Sequence, residues 1–332
     1  MRVDFVSDQQ VRRFYIKDIP GYMKFKFLYL LLMLLYLLIP ADIYSQNYMV
    51  SKSLMEFVDT TRENRKIPLV IYYPSDIEVD GTPMSTPEEI KKFPVIAFGH
   101  GYLMNVKAYE NLCNAIVPLG YIMVFPDTET GIFPSHLDLG LDMSFTLEQM
   151  KKEGTNPSSI FYLKTGEKSC LMGHSMGGGS AILGALNVSP ENSIVLLAPF
   201  DTKPSAIEAA GSVSAPSLIL VGSNDRITLP DKHSLPIFES FGSSNKTYIS
   251  IRGGNHCKMA DKNFFCSMAE RNMPDSAISR NEQHAILYRY IIPWLEYTLK
   301  NDLVRGNEFD RLIEADSSIQ FRRSGTLLSP GL

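Results

Sequence analysis

A serine flanked by glycines is the first feature of this sequence whose residue types and spacing could do chemistry. Residues 173–177 read GHSMG, the spacing of a sharp strand-to-helix turn that holds a strained, exposed serine while the glycines admit neighbouring backbone. The apolar run before residue 173 predicts the strand, and the small residues after Met176 predict the helix. The spacing alone is weak evidence, since an incidental serine in a glycine-rich turn would match it. In this context Ser175 is our candidate nucleophile.

A serine hydroxyl is a poor nucleophile at neutral pH, so it needs a nearby base and a third group that orients that base. Asp225 and His256 each follow a predicted strand, and the carboxyl ends of parallel strands meet at one edge of a sheet. Taken singly, Asp225 could simply cap a turn, and His256 could be a surface residue. Their joint occurrence, in the order serine, acid, histidine, predicts a triad of Ser175, Asp225 and His256. Asp201 also follows a strand and is the runner-up for the acid.

An early glycine-containing loop could supply the electrophilic part of the same site. Residues 98–102 read FGHGY and follow an apolar run that predicts a buried strand. We expect the backbone N–H groups of Tyr102 and Met176 to form an oxyanion hole, where each would donate to the oxygen that becomes negative in a tetrahedral intermediate. Losing one such donor typically costs about 10²–10³ in rate. The alternative interpretation of this loop is an ordinary turn.

The elements that must position these residues follow from hydrophobic patterning. Short apolar runs alternate with longer amphipathic stretches, which predicts an α/β fold with a mostly parallel central sheet flanked by helices. The predicted strands are Leu69–Tyr73, Val95–Phe98, Ile122–Phe125, Cys170–Met172, Ile194–Leu197, Ser217–Val221 and Thr247–Ile251. The predicted helices are Asn105–Leu119, Leu137–Glu153, Met176–Leu186, Leu235–Phe241 and Glu282–Leu299.

The composition excludes several function classes. The 332 residues are 45% hydrophobic and 20% charged, with a net charge of −4, values typical of a globular protein. No long basic run is present, so we expect no nucleic-acid partner. The four cysteines include no C-x-x-C pair, and we expect no metal and no cofactor. We expect a monomer.

The N-terminal region has the layout of a secretory signal. Residues 27–39 are apolar or aromatic and follow two lysines, a run shorter than the approximately 20 residues that span a membrane. We expect a secreted or periplasmic protein that contacts the membrane only through this segment; the alternative is an uncleaved membrane anchor. Met23 stands directly before the basic residues, and we hypothesise that it is the true start.

These patterns divide the chain into three parts. Residues 1–45 form an N-terminal extension and signal peptide, and residues 46–301 form the catalytic domain. Residues 302–332 are a more polar C-terminal extension, which we expect to be partly disordered.

Several segments together resemble the cutinase-like, polyester-degrading branch of the α/β-hydrolases, which includes bacterial poly(ethylene terephthalate) hydrolases. They lie between about residues 48 and 302 and read FPVIAFGHGY, NLCNAIVPLGYIMVFPDTET, GHSMGGG, LLAPFDT, APSLILVGSNDRI, GGNHCKM and YIIPWLEYTLKND. The resemblance implies an α/β-hydrolase fold without a large lid domain, and a serine esterase that acts through an acyl-enzyme.

The resemblance also implies how substrate would be held. Tyr102 and Phe200 match the aromatic positions that clamp an acyl or aromatic group in this family. Met176 matches a donor that is also a wall residue, and His174 matches the residue beneath the bound group. Aromatic faces stack on flat rings and pack on alkyl chains alike, so this clamp does not choose between aromatic and aliphatic esters.

The cysteines depart from the family pattern. Some members join the acid loop to the histidine loop by a disulfide, but here the acid loop has Gly222 and Ser223 at that point. Cys257 and Cys266 are separated by eight residues and are a candidate pair beside the predicted histidine. The other two cysteines lie in a predicted helix and a predicted strand, where unpaired buried cysteines are common.

Three other functions remain open from the sequence. The first is a lipase or acetylhydrolase-type lipid esterase. The second, of a different class, is a catalytically silent protein that binds an apolar ligand in the same cleft. The third is a membrane-anchored interaction protein that uses the N-terminal apolar segment.

Overall fold

A computed structural model describes residues 48–75, 91–271 and 277–325. Its described residues form one nine-stranded sheet in the order β1-β2-β4-β3-β5-β6-β7-β8-β9. The strands are β1 Met49–Asp59, β2 Arg65–Ser75, β3 Phe93–Gly99, β4 Ile122–Pro126, β5 Thr165–His174, β6 Ser193–Leu197, β7 Ser217–Gly222, β8 Lys246–Ile251 and β9 Ile319–Ser324. Strands β3 to β8 run parallel, whereas β1, β2 and β9 pair antiparallel with their neighbours.

Helices cover both faces of this sheet. The α-helices are α1 Glu110–Ile116, α2 His136–Glu153, α3 Met176–Ala185, α4 Ala206–Ala210, α5 Ser234–Ser240, α6 Phe264–Ala269, α7 Arg280–Lys300 and α8 Leu303–Ala315. Short 3₁₀ helices occur at Val106–Tyr109, Val117–Leu119 and Cys257–Met259. The mostly parallel sheet flanked by helices confirms the predicted α/β-hydrolase fold, and the described residues include no large additional domain.

The central strands are easy to predict because both of their faces are covered. Every residue of β3, β4, β6 and β7 is buried, as expected for parallel strands with helices on each side. One face packs in a cluster that contains Phe98 and Trp294, and the other packs in a cluster that contains Leu139 and Ile182. Each such fully buried side chain contributes about 1.5–3 kcal/mol relative to exposure.

The predicted single helix over Asn105–Leu119 is wrong in detail. The structure divides this segment into two 3₁₀ turns with α1 between them. Pro118 lies in the second turn, and its ring cannot continue a regular helix. Gly120 then adopts a left-handed conformation with φ of 84°, which ends the segment before β4.

The boundary predicted at residue 301 also needs correction. Residues beyond it form α8 and β9, and β9 pairs antiparallel with β8 from Ile319 to Ser324. Phe309 of α8 is fully buried and lies 5.4 Å from the Trp294 ring, centroid to centroid. The described part of the C-terminal segment is therefore integral to the catalytic domain rather than a partly disordered extension. Residues 326–332 lie outside the described ones.

The N-terminal predictions cannot be compared with the structure. The signal segment, its cleavage site and the hypothesised start at Met23 all lie outside the described residues. Within the part that the structure describes, no helix combines the length and apolar character needed to cross a membrane.

Candidate active site

The glycine-flanked serine occupies a sharp turn between β5 and α3, as its spacing predicts. Ser175 has φ of 56° and ψ of −119°, a strained conformation for a residue with a side chain. Its side chain is partly exposed, whereas the residues on either side are buried. The backbone is crowded: a Cβ atom on Gly177 would lie 2.1 Å from the carbonyl oxygen of Gly99, and one on Gly173 would lie 2.3 Å from that of Gly177. Only glycine fits at these two positions.

The predicted acid and base are in direct contact at the carboxyl ends of β7 and β8. Nδ1 of His256 lies 2.8 Å from Oδ2 of Asp225, and both residues are buried. Oδ1 of Asp225 accepts hydrogen bonds from the backbone N–H groups of Ile227 at 2.9 Å and Thr228 at 2.8 Å. The carboxylate is thus fixed on one side and can orient the imidazole on the other.

Thr228 is a site residue that sequence reasoning missed. Its hydroxyl lies 2.8 Å from Oδ2 of Asp225, 3.0 Å from Nδ1 of His256 and 3.2 Å from the carbonyl oxygen of Ala198. It therefore contacts the acid, the base and the loop after β6 at once. Nothing in the sequence signals this role, because a threonine three residues after an aspartate is ordinary in a turn.

The turn that carries Ser175 is attached to the neighbouring strand end. The Ser175 N–H donates to the carbonyl oxygen of Leu197 at 2.9 Å, and the Phe200 N–H donates to the carbonyl oxygen of Ser175 at 3.0 Å. The ring of His174, the preceding residue, lies 4.6 Å from the ring of His256, centroid to centroid. The fold thus places the turn beside the acid–base pair.

Two of the predicted substrate-binding residues, His174 and Met176, are buried. His174 is fully buried, and Nδ1 lies 3.1 Å from the Tyr109 hydroxyl, so its side chain faces protein rather than an open cleft. Burial lowers the pKa of His174 well below its ordinary value, and the neighbouring His256 lowers it further. The Met176 side chain is only 3% exposed and packs in the core. Met176 can still offer its backbone N–H, because it is the first residue of α3 and early helical N–H groups lack helical acceptors.

The exposed aromatic rim begins at Tyr102. Its side chain is 47% exposed, and its hydroxyl donates to the carbonyl oxygen of Ile132 at 2.9 Å. Ile132 and Phe133, in the loop after β4, are 62% and 92% exposed. Sequence reasoning missed these two residues, although an isoleucine–phenylalanine pair within an otherwise polar loop was a usable signal. Together the three side chains form an apolar surface next to the predicted oxyanion loop.

A buried charge cluster anchors the loop after β4. The carboxylate of Asp142 is inaccessible to solvent and accepts hydrogen bonds from Arg62, Arg65 and the hydroxyl of Thr128. Arg65 also pairs with Glu129 at 2.7 Å. These contacts hold the loop that carries the rim to helix α2 and to the first hairpin.

Phe200, the second predicted clamp residue, is partly buried between two histidines. Its ring lies 4.8 Å from that of His233 and 6.3 Å from that of His136, centroid to centroid. Nδ1 of His136 accepts from the Lys203 N–H, and Nδ1 of His233 accepts from the Asp201 N–H. Burial lowers the pKa of both histidines. Phe200 therefore adjoins neutral imidazoles rather than solvent alone.

The runner-up acid has another task. The carboxylate of Asp201 accepts hydrogen bonds from the Ser205 hydroxyl at 2.9 Å and the Ile207 N–H at 3.1 Å, which ties it to the start of α4. This arrangement favours Asp225 as the partner of His256. The described residues include no group of three or more His, Cys, Asp or Glu residues placed to hold a metal ion.

A disulfide braces the loop after the candidate base. Cys257 and Cys266, the candidate pair from the sequence, are bonded, with their Cα atoms 5.5 Å apart. The Cys257 N–H also donates to Glu270 at 3.1 Å, and its carbonyl oxygen accepts from Arg280 at 2.6 Å. Cys113 and Cys170 are free and buried, as predicted. The residue after His256 is thus held by covalent and polar contacts.

A mostly parallel sheet, a strained serine between strand and helix, and an acid–histidine pair at neighbouring strand ends define the α/β-hydrolase class. The family model described as PET hydrolase-like matches residues 71–309. The chain belongs to that family and is a carboxylic ester hydrolase. No curated protein matches the chain.

Proposed function

We propose that this protein is a serine esterase that cleaves small acyl esters and polyester-type esters through an acyl-enzyme. The observation that carries the proposal is the 2.8 Å contact between Asp225 and His256 beside the strained turn of Ser175. A strained serine and an oriented imidazole at the carboxyl ends of strands in one sheet suit nucleophilic attack on a carbonyl carbon.

In the first half-reaction, Oγ of Ser175 attacks the ester carbonyl carbon while Nε2 of His256 accepts the hydroxyl proton. Asp225 holds the imidazole and stabilises its cationic form. The carbonyl oxygen becomes negative and accepts hydrogen bonds from the N–H groups of Tyr102 and Met176. The tetrahedral intermediate then collapses, the alcohol leaves with the proton from His256, and the acyl group remains on Ser175.

In the second half-reaction, a water molecule gives a proton to His256 and attacks the acyl carbonyl carbon. The second tetrahedral intermediate breaks its bond to Oγ of Ser175, which recovers the proton from His256 as the acid leaves. No redox partner is needed for this balance.

The exposed apolar rim favours binding of an ester whose groups beside the scissile bond are apolar. Tyr102, Ile132 and Phe133 are exposed beside the proposed oxyanion loop, and Phe200 lies in the loop after β6. Such a surface adds contact area for a chain or flat ring without enclosing it. We therefore place polyesters, as well as small acyl esters, within the proposed substrate range.

We also propose that the protein is exported to an oxidising compartment. The Cys257–Cys266 disulfide supports this proposal, because such bonds persist mainly in secreted and periplasmic proteins. The mature native protein should begin at Gln46, and intact-mass measurement tests this. A native product that retains residues 27–39 would instead support an uncleaved anchor.

The esterase proposal is tested with p-nitrophenyl esters of graded chain length, a matching amide and a polyester film. Wild type should hydrolyse the esters and release soluble acid from the film, and Ser175→Ala should lose essentially all activity. Ser180→Ala is the matched control, because Ser180 lies in α3, is buried, and its hydroxyl has no hydrogen-bond partner in the described structure. Activity that survives in Ser175→Ala, or an inactive wild type, would contradict the proposal.

A further inference from the structure

The hydroxyl of Tyr109 lies between the two segments that the proposed oxyanion hole requires. Tyr109 is fully buried. Its oxygen accepts a hydrogen bond from the Gly101 N–H at 2.8 Å and lies 3.1 Å from Nδ1 of His174. Gly101 directly precedes Tyr102, and His174 directly precedes Ser175. One buried hydroxyl therefore contacts the residue before a proposed oxyanion donor and the residue before the proposed nucleophile.

The contacts of Gly101 fix the direction of the next N–H. Its own N–H donates to Tyr109, while its carbonyl oxygen accepts from the Met104 N–H at 3.0 Å and lies 2.9 Å from Nδ1 of His100. The carbonyl of Gly101 and the N–H of Tyr102 belong to one planar peptide unit and point in opposite directions. Holding Gly101 on both sides thus sets where the Tyr102 N–H points.

The space around Gly101 is small. A Cβ atom on Gly101 would lie 2.8 Å from Sδ of Met104 and 3.2 Å from both Nδ1 of His174 and the Tyr109 oxygen. The acceptor for the buried Gly101 N–H is the side-chain hydroxyl of Tyr109. Without the Tyr109 hydroxyl this N–H would lose its acceptor, and a buried unsatisfied donor is costly.

The Tyr109 hydroxyl carries a single proton, so it can donate only one hydrogen bond. The oxygen accepts from Gly101, so its single proton is available to Nδ1 of His174 or to Sδ of Met104, which lies 3.3 Å away. A neutral imidazole nitrogen is the better acceptor, because a thioether sulfur accepts only weakly. Burial keeps His174 neutral by lowering its pKa. The hydroxyl of Tyr109 therefore links the Gly101 N–H to the ring of His174.

We propose that Tyr109 is a positioning residue that holds the oxyanion loop in register with the nucleophile turn by bridging Gly101 and His174. Tyr109 touches no substrate; it acts through the direction of the Tyr102 N–H and the placement of the turn at Ser175. This inference rests on the proposed esterase function. It adds a side chain that no motif in the sequence indicates.

Tyr109→Phe tests the bridge, since it removes the hydroxyl and retains the ring that packs 4.5 Å from Phe98. We expect kcat for a p-nitrophenyl ester to fall about tenfold, the effect of losing one hydrogen bond, with KM changed less than twofold. Affinity for an alkyl boronic acid, which forms a tetrahedral adduct with a catalytic serine, should fall by a similar factor. A purely structural role would lower stability without this selective loss.

Tyr121→Phe is the matched control. Tyr121 is also buried, and its hydroxyl donates to Glu296 at 2.9 Å. It directly precedes β4 and so lies at the amino end of that strand, whereas the site lies at the carboxyl ends of the parallel strands. This variant should lose some thermal stability and keep the wild-type kcat, KM and boronate affinity. Equal kinetics in Tyr109→Phe and wild type, a change in KM alone, or the same loss in Tyr121→Phe would overturn the inference.

A measurement on the wild type decides the matter if Tyr109→Phe does not fold. In protein labelled with ¹⁵N-glycine, the Gly101 amide should exchange with solvent as slowly as glycine amides of the buried strands, and fast exchange would overturn the bridge. This readout is independent of activity. An inactive wild type or an active Ser175→Ala would instead contradict the proposed function.

Discussion

The two halves of the candidate site are held together by different kinds of contact. On the nucleophile side, backbone meets backbone: a Cβ atom on Gly177 would overlap the carbonyl oxygen of Gly99 at the end of β3, and one on Gly173 would overlap that of Gly177. On the acid–base side, side chains meet side chains, with Thr228 bonded to both Asp225 and His256. The first half depends on the absence of side chains, and the second on particular polar groups.

This difference explains which substitutions each half should tolerate. Replacing a glycine of the nucleophile turn by a larger residue should cause steric overlap with the backbone and lower the free energy of unfolding. A polar replacement beside His256 should leave the fold intact and act on the rate. Paired variants separate these two kinds of failure.

The largest kinetic effect should come from Asp225→Asn. An asparagine in place of the carboxylate cannot stabilise the cationic imidazole and favours the wrong tautomer, so we expect kcat to fall by about 10⁴. Asp201→Asn is the matched variant, because Asp201 instead accepts hydrogen bonds from Ser205 and Ile207 at the start of α4, and it should stay within about threefold of wild type. Steady-state kinetics with one p-nitrophenyl ester measures both, and the reverse ranking would transfer the role of the acid to Asp201.

Gly177→Ala should break the backbone half. Its Cβ atom would lie 2.1 Å from the Gly99 carbonyl oxygen and 2.6 Å from that of His100, overlaps that require backbone movement. We expect a loss of about 3 kcal/mol or more in the free energy of unfolding. Gly131→Ala is the control, because nothing lies within 4 Å of its added Cβ atom. Urea denaturation of the two variants would contradict the account if they proved equally stable.

Thr228→Val should weaken the side-chain half without disturbing its shape. The substitution removes the hydroxyl that contacts Asp225, His256 and Ala198, so we expect kcat to fall about tenfold. Thr228→Ser keeps the hydroxyl and should restore most of the rate. Thr298→Val, which removes a buried hydroxyl bonded to Trp294 in α7, should leave kcat unchanged. A full rate in Thr228→Val would show that the hydroxyl is dispensable.

The smallest effect concerns the pH dependence of stability and His174. Burial lowers the pKa of His174 in the folded state. As the pH falls below about 6.5, His174 therefore binds a proton in the unfolded chain but not in the folded chain. Stability should therefore be complete above that pH and decrease below it, by about 1.4 kcal/mol per pH unit for one proton. Unfolding measured from pH 7.5 to 5 should show a shallower decline in His174→Gln.

His136→Gln provides the comparison for that slope. Burial also lowers the pKa of His136, but the side chain is only partly buried, so its contribution should be smaller. Equal slopes for wild type and His174→Gln would show that His174 is not held neutral by the fold.

The sequence predicts the centre of the sheet better than its edges, for a physical reason. All seven predicted strands are present, and the central parallel ones are the clearest because helices cover both of their faces, which requires continuous apolar runs. Strands β1 and β9 were missed because they lie at the two edges of the sheet. Their apolar residues are interrupted by polar and charged residues such as Lys52 and Arg322. Helix α6, six residues long, is too short to show a periodic pattern.

The site divides in the same way. Ser175, Asp225 and His256 were predictable because motif and strand-end position both point to them, and their catalytic roles remain predictions. Thr228 and Tyr109 were not predictable, since their importance arises only from contacts with residues distant in sequence. The burial of His174 was also beyond a motif, because a motif does not specify which way a side chain faces.

The central claim, that Ser175 is an activated nucleophile, is tested most directly by covalent labelling. Wild-type protein would be treated with a fluorophosphonate probe, digested and mapped by mass spectrometry beside Ser175→Ala. We predict a single adduct on Ser175 in the wild type and none in the variant. An adduct on another residue, or equal labelling of both proteins, would contradict the account.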